Sequence, residues 1–333
     1  MTEVDTRSST CPARTTRRYL SLITLLVGLI ALISSPLQGQ FLGHNFRGDF
    51  GLLSGSQPEP SLYFAPMYVR FEADKLRNRF GDEIRPDIPG SVDSNAFVAG
   101  IWYVSDFKIL GANYGFMVFP GFSDNVFEVP ILGVDQRSDL GFTDLYFQPL
   151  NLGWVTERVD FTAGLGITAP TGRYDIEAED NIGLGMWSFE PYVGASVYFD
   201  EARSWHFATI AGYETHTKKK DTDIKVGDIL TLEGGFGKSF MEGALSLGVA
   251  YNAQWKVTDD NLGQSITLPE GVRIGKHRVF GAGPEATIPI ATKSKLIALI
   301  NVRYFWDFGA RTTLEGNALV ITATFPVPSV HLQ

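Results

Sequence analysis

Apolar and polar residues alternate with a period of two through most of the chain. In residues 244–255, Leu245, Leu247, Val249, Tyr251, Ala253 and Trp255 fall on one face, and Ala244, Ser246, Gly248, Ala250, Asn252 and Gln254 on the other. Such alternation marks a strand with two unlike faces. Residues 161–169 repeat it, with Phe161, Ala163, Leu165 and Ile167 against Thr162, Gly164, Gly166 and Thr168. Residues 192–199 follow the pattern, and in 297–308 Ile300, Val302, Tyr304, Trp306 and Phe308 oppose Asn301, Arg303, Phe305 and Asp307. One face suits lipid and the other water.

Twelve segments of this kind are predicted, at about 62–72, 95–105, 110–120, 142–152, 158–169, 187–199, 205–215, 228–238, 243–256, 277–288, 296–308 and 318–325. Short connections at 106–109, 153–157, 200–204, 239–242 and 289–295 alternate with longer ones at 73–94, 121–141, 170–186, 216–227, 257–276 and 309–317. An even strand number and a short-long rhythm predict an all-β fold, a transmembrane antiparallel up-and-down β-barrel over residues 61–333 with both termini in the periplasm. Aromatics near segment ends, among them Tyr198, Phe199, Trp205, Phe207, Trp255, Tyr304 and Trp306, suit interfacial girdles. A soluble sandwich or lipocalin-like barrel has the same alternation but does not require this loop rhythm.

Composition changes the picture mainly at the N-terminus. Arg14, Arg17 and Arg18 precede an apolar run at 20–33, which is followed by Ser34, Ser35, Pro36 and Gly39. That order predicts a signal peptide over residues 1–39, because the run is short of the roughly twenty residues that span a bilayer. Removing those residues moves the formal charge from -9 to -11, a balance that disfavours nucleic acid as a partner. The single cysteine, Cys11, lies before the apolar run, so neither thiolate chemistry nor a lipoprotein anchor is expected in the remaining chain.

With apolar residues facing lipid, the expected lumen-lining residues are Arg70, Glu72, Glu214, Glu233, Gln254, Lys256, Glu285, Arg303 and Asp307. His216 belongs with them. Such charges either line a solute path or form a salt-bridged interior with no transport role. Residues 40–60, with Phe41, Phe46, Phe50 and Leu52 among glycines, form either a lumen plug or a loose periplasmic segment. The acidic clusters around Asp175, Glu177, Glu179 and Asp180, and at Asp259 and Asp260, read as solvated loops rather than cation sites. The histidines His44, His206, His216, His277 and His331 have no metal-ligand spacing, and no catalytic motif or nucleotide-binding loop occurs, so no cofactor is expected. An outer-membrane enzyme using Ser204 or Ser246 with His206 is the alternative from another class.

Several stretches look familiar together: Leu150-Asn151-Leu152-Gly153-Trp154, Ala169-Pro170-Thr171-Gly172-Arg173-Tyr174, Asn181-Ile182-Gly183-Leu184-Gly185, Tyr213-Glu214-Thr215-His216 and Gly281-Ala282-Gly283-Pro284-Glu285. With Lys225-Val226-Gly227-Asp228, Ala253-Gln254-Trp255-Lys256 and Phe325-Pro326-Val327-Pro328-Ser329, they make the chain resemble the "MetA-pathway of phenol degradation" family from about Pro60 onward. The resemblance implies a Gram-negative outer-membrane barrel related to the long-chain fatty acid channels. Such a barrel would pass small hydrophobic or aromatic solutes by passive diffusion, as a monomer inserted by the barrel assembly machinery. The chain departs from the common terminal aromatic, since Phe325 is followed by eight residues. A structural barrel without transport is the competing role.

Overall fold

The computed structural model describes residues 41–327 apart from 85, 87–89, 130–133, 177, 179, 241–244, 266–273 and 293–295. The proposed signal peptide, Glu177, Glu179 and His331 therefore lie outside the described residues.

The strands are β1 (Ser61–Arg77), β2 (Ser91–Ile109), β3 (Ala112–Phe119), β4 (Gly121–Val129), β5 (Val134–Phe142), β6 (Leu145–Val155) and β7 (Val159–Ala169). They continue as β8 (Ser188–Tyr198), β9 (Trp205–His216), β10 (Ile229–Phe240), β11 (Leu245–Lys256), β12 (Arg278–Ala291), β13 (Leu296–Arg311) and β14 (Thr313–Val327). Every pairing is antiparallel, and β1 pairs both with β2 and with β14, from Leu62↔Val327 to Arg77↔Thr313, so the sheet closes on itself. Closure removes every edge from the lipid-facing wall.

Fourteen segments make twelve staves. β2 pairs with β3 over its second half and with β4 over its first, so β3 and β4 are one strand interrupted at Pro120. β5 and β6 are likewise one strand interrupted at Thr143 and Asp144, with Phe122↔Phe142 on one side of the break and Phe119↔Tyr146 on the other. Residues 121–141, expected as a long loop, are thus mostly a hairpin extending the barrel wall. The stretch expected as a loop at 309–317 is also strand, turning at Thr312 (φ 51°). Both extensions rise beyond the apolar belt. Val134–Phe142 carries Asp135, Gln136, Arg137, Ser138 and Asp139, and a strand there needs backbone pairing but no apolar face.

The outer surface follows the predicted alternation. Phe161, Val193, Leu247, Val249, Trp306 and Phe308 are exposed, whereas their neighbours Thr162, Ser246, Ala250 and Phe305 are buried. Trp205 stacks on Phe236, and Trp255 meets Phe280 edge to face.

The turn between β2 and β3 is two residues, Leu110 (φ 51°) and Gly111 (φ 83°), the double left-handed geometry of a tight hairpin. Leu110 is 88% exposed, so its side chain recovers little of the left-handed cost by burial. Leu110→Asn is expected to stabilise the folded barrel by about 1 kcal/mol, checked as a higher urea midpoint in lipid vesicles with an unchanged slope.

Candidate functional site

Residues 41–60 run down the inside of the barrel from the long-loop end to the short-turn end. This inner segment has no sheet or helix of its own, so its backbone donors need acceptors from the wall. Three glutamates supply them. Glu214 on β9 accepts from His44 N (2.7 Å) and Asn45 N (3.3 Å), and Glu233 on β10 from Gly48 N (2.8 Å) and Phe50 N (3.1 Å). Glu285 on β12 accepts from Leu52 N (3.0 Å) and from Asn301 Nδ2 (2.6 Å). Lys256 Nζ donates to Phe41 O (2.7 Å) and to Asp260 (2.7 Å). The bond from Lys256 to Asp260 is charge-assisted, and such bonds are about twice as strong as neutral ones.

Side chains lock both ends. At the long-loop end His44 reaches Ser188 Oγ through Nδ1 (2.6 Å) and Asp144 Oδ2 through Nε2 (2.8 Å). Asp144 sits in the break between β5 and β6 and also accepts from Gly172 N (2.8 Å) and Leu184 N (2.7 Å), so the inner segment, the broken strand and the loop after β7 share one carboxylate. These are the residue types of a nucleophilic triad, and here they tie the inner segment to the wall, with Ser188 2% exposed. At the short-turn end Ser56 Oγ donates to Asp160 (2.9 Å), which also pairs with Arg203, whose guanidinium lies 3.8 Å from the Tyr198 ring centroid. Gln57 Nε2 donates to Asn151 Oδ1 (2.6 Å).

Midway, Leu52 (1% exposed) drops into a pit floored by Gly235, Gly237 and Gly248. A Cβ at Gly235 or Gly248 would stand 2.6 or 2.8 Å from its Cδ2. The glycines are there to admit the leucine.

The candidate residues divide. Glu214, Glu233, Lys256 and Glu285 are 1–5% exposed and bind the inner segment directly, and Asp307 pairs with Arg47 at 3.0 Å. Gln254 Oε1 accepts from His277 Nε2 (3.2 Å), while Arg303 lies beside Asn301 on the cavity side of β13. His216 is buried against Glu214 (3.1 Å). Arg70 and Glu72 do not join them. Alternation on β1 sends Val69, Phe71 and Ala73 into the cavity, so Arg70 and Glu72 face outward as a half-exposed ion pair with Asp93 3.8 Å away. Of the serines weighed for catalysis, Ser204 Oγ bonds Asp200, and Ser246 Oγ bonds Ser239 Oγ (2.8 Å), while His206 meets the Ser204 carbonyl (3.2 Å). Asp260 is drawn into the wall by Lys256 and Gly227 N (2.8 Å), whereas Asp259 is solvated. Among the described residues no group of histidines, cysteines and acids is arranged for a metal.

With the inner segment held against β9–β13, the opposite half of the lumen is left as a cavity of about 1450 Å³. Its far wall is β1–β4, which presents Ala65, Met67, Val69 and Phe71, then Ser94, Ala96, Val98 and Trp102, then Met117, Phe119, Ser123, Asn125 and Phe127. The lumen thus has one charged wall, covered by the inner segment, and one uncovered wall that is mainly apolar with a few neutral polar residues.

Comparisons with known proteins agree with this architecture. A family model described as "Putative MetA-pathway of phenol degradation" matches residues 73–323. The structure is similar to the COG4313 outer membrane channel from Pseudomonas putida F1, with a TM-score of 0.70 at 12% identity over 85% of this chain and 100% of that one. The β domain of the Bordetella autotransporter BrkA aligns with a TM-score of 0.46 at 11% identity, over 81% of this chain and 100% of that one, too distant to bear on the site. No curated protein gives a significant match.

Replacing Glu233 by Gln leaves one acceptor oxygen for the N–H groups of Gly48 and Phe50 and aims an amide donor at the other. Glu233→Gln is expected to weaken docking of the inner segment by about 1–2 kcal/mol, read as a roughly five- to thirty-fold rise in hydrogen exchange at Gly48 and Phe50 with the strands unchanged. Burial pushes the Asp144 carboxyl up, but His44 and the N–H groups of Leu184 and Gly172 outweigh it and hold it below its ordinary value. A carboxyl lowered on folding contributes stability above its unfolded value of about 3.9 and loses it as pH falls through the folded value. A spin label at Leu42 is therefore expected to be immobile at neutral pH and to gain mobility below about pH 4, whereas Asp144→Asn is expected to be mobile at both.

Proposed function

The chain belongs to the MetA-pathway of phenol degradation family, and on that footing we propose that it is an outer-membrane channel for small hydrophobic or aromatic compounds, moving them downhill. The observation that carries this reading is the inequality of the two lumen walls. A water-filled diffusion pore needs no mainly apolar wall, and a purely structural barrel has no use for a cavity of about 1450 Å³. An apolar solute gains roughly 25 cal/mol per Å² of surface removed from water along that wall, while the carboxylate wall is already occupied by the inner segment.

In this reading residues 41–60 are the plug, the long loops face the environment, and export depends on a signal within residues 1–39. The functional unit is the monomer, because each barrel holds its own cavity, and insertion falls to the barrel assembly machinery. Transport is passive: the sequence has no nucleotide-binding loop of the GxxxxGK[ST] form, so selection rests on the width and polarity of the path.

Planar-bilayer recording of the refolded chain, beside a variant lacking residues 41–60, tests the reading. The full chain is expected to give small, infrequent current steps and the shortened one larger, stable steps that submillimolar toluene or phenol interrupts. A folded, heat-modifiable barrel whose current is indifferent to both the deletion and the solutes would leave only the structural role.

A further inference from the structure

The uncovered wall is apolar in two patches, and the upper one stands outside the lipid belt. On the outer surface of this wall the belt ends at four cross-strand neighbours in a row, Tyr68, Phe97, Phe122 and Phe142. Their rings meet in pairs, Tyr68 with Phe97 at 4.9 Å and Phe122 with Phe142 at 5.4 Å, as aromatics do at a membrane interface. Beyond that row the outward face carries ion pairs, Arg70 with Glu72 and Asp93, and Arg137 with Glu128. The inward face first turns polar and then apolar again. Phe71, Ser94, Asn125 and Ser138 are cross-strand neighbours in one row, with Ser94 Oγ donating to Asn125 Oδ1 (2.6 Å). The next row brings Val92 beside Phe127. Above it lie Val129 and the cross-strand pair Leu76 and Leu314, with Ile84 fixed beside Leu76 by a bond from its N–H to Leu76 O (2.8 Å). These six side chains line the cavity, and every one keeps exposed surface.

Nothing about the strands calls for this patch. Above the lipid a strand needs only its backbone pairs, as polar β5 shows at the same height with Gln136 and Ser138. Apolar side chains turned into an open cavity outside the membrane raise the free energy of the empty barrel, and such patches mark binding grooves. Because this one faces the inside of the cylinder and belongs to the same cavity as the lumen, its occupant is the solute rather than a protein. Ser94, Asn125 and Ser138 separate it from the lower patch of Ala65, Met67, Val69 and Val98.

We propose that the upper patch is a separate capture station, where a small apolar solute leaves the surrounding water before it crosses the polar row into the lumen. The inference rests on the reading of the barrel as a channel for such compounds. It adds the side of entry, the aqueous long-loop end rather than the lipid, and it sets two wells in order along one wall, each shallow enough to be left again.

Protection of engineered cysteines tests it, in the full chain carrying Cys11→Ser and reconstituted in vesicles. Single variants Val92→Cys, Phe127→Cys and the outward Asp93→Cys are labelled with a sulfonated maleimide that does not cross lipid. Toluene near its aqueous solubility is expected to slow labelling at Val92→Cys and Phe127→Cys about fivefold and to leave Asp93→Cys unchanged. Protection at Val92→Cys is expected to survive Met67→Trp, which fills the lower patch, or Met67→Phe should the larger residue prevent folding. Loss of protection in that background means one continuous site and overturns the separate station, as does equal slowing at Asp93→Cys. Unprotected upper cysteines overturn it as well. The channel reading stands in that case if toluene still interrupts the current of the variant lacking residues 41–60, and falls with the station if it does not.

Discussion

The architecture depends on backbone groups that have no sheet to join. Residues 41–60 carry the usual complement of N–H donors into a space enclosed by strands whose own hydrogen bonds are already made, and an unpaired donor there costs about as much as a lost hydrogen bond. The barrel answers with carboxylates at matched heights on β9, β10 and β12, so that Glu214, Glu233 and Glu285 read the segment's main chain rather than its side chains. Everything else in the interior is arranged around that contact. Leu52 finds its pit in glycines, Arg47 its partner in Asp307, and His44 its two oxygens at the top.

One wall being committed to the segment, the other is free to be apolar. This division explains why β1 breaks the rule that a barrel strand has one oily and one watery face. Its outward row of Leu62, Phe64 and Tyr68 meets lipid, and its inward row of Ala65, Met67, Val69 and Phe71 meets the cavity. Such a strand resembles the doubly buried strands of parallel sheets more than a porin stave.

The same division decides what could be read from the chain. Where one face was oily and the other polar, as in β7, β11 and β13, period two located the strands, and the structure places Glu214, Glu233, Glu285 and Arg303 on the inner side of theirs. On β1 the polar residues Arg70 and Glu72 lie where the strand leaves the lipid belt, and taking charge as a sign of the lumen put them on the wrong face. The extensions in β4, β5 and β13 escaped notice because strands beyond the membrane need no apolar alternation. The course of the inner segment was legible only as a choice, since its glycines and phenylalanines fit both a plug and a tail. The clasp at Asp144 joins residues 100 and 40 positions apart in the chain, a convergence that only the folded barrel displays.

The inner segment runs straight into β1, and β1 forms the seam with β14 that closes the barrel. It is therefore tethered within reach of its wall from the moment the cylinder forms, with no diffusional search for a partner. Tethering of this kind sets effective concentrations in the millimolar range, so each carboxylate contact can be individually weak and the whole can still remain seated. The seam is paired along β1 and β14 without those contacts, so loss of any of them would leave the hydrogen bonds that shut the cylinder in place. Filling of the lumen and closure of the wall thus rest on different sets of hydrogen bonds within one continuous chain.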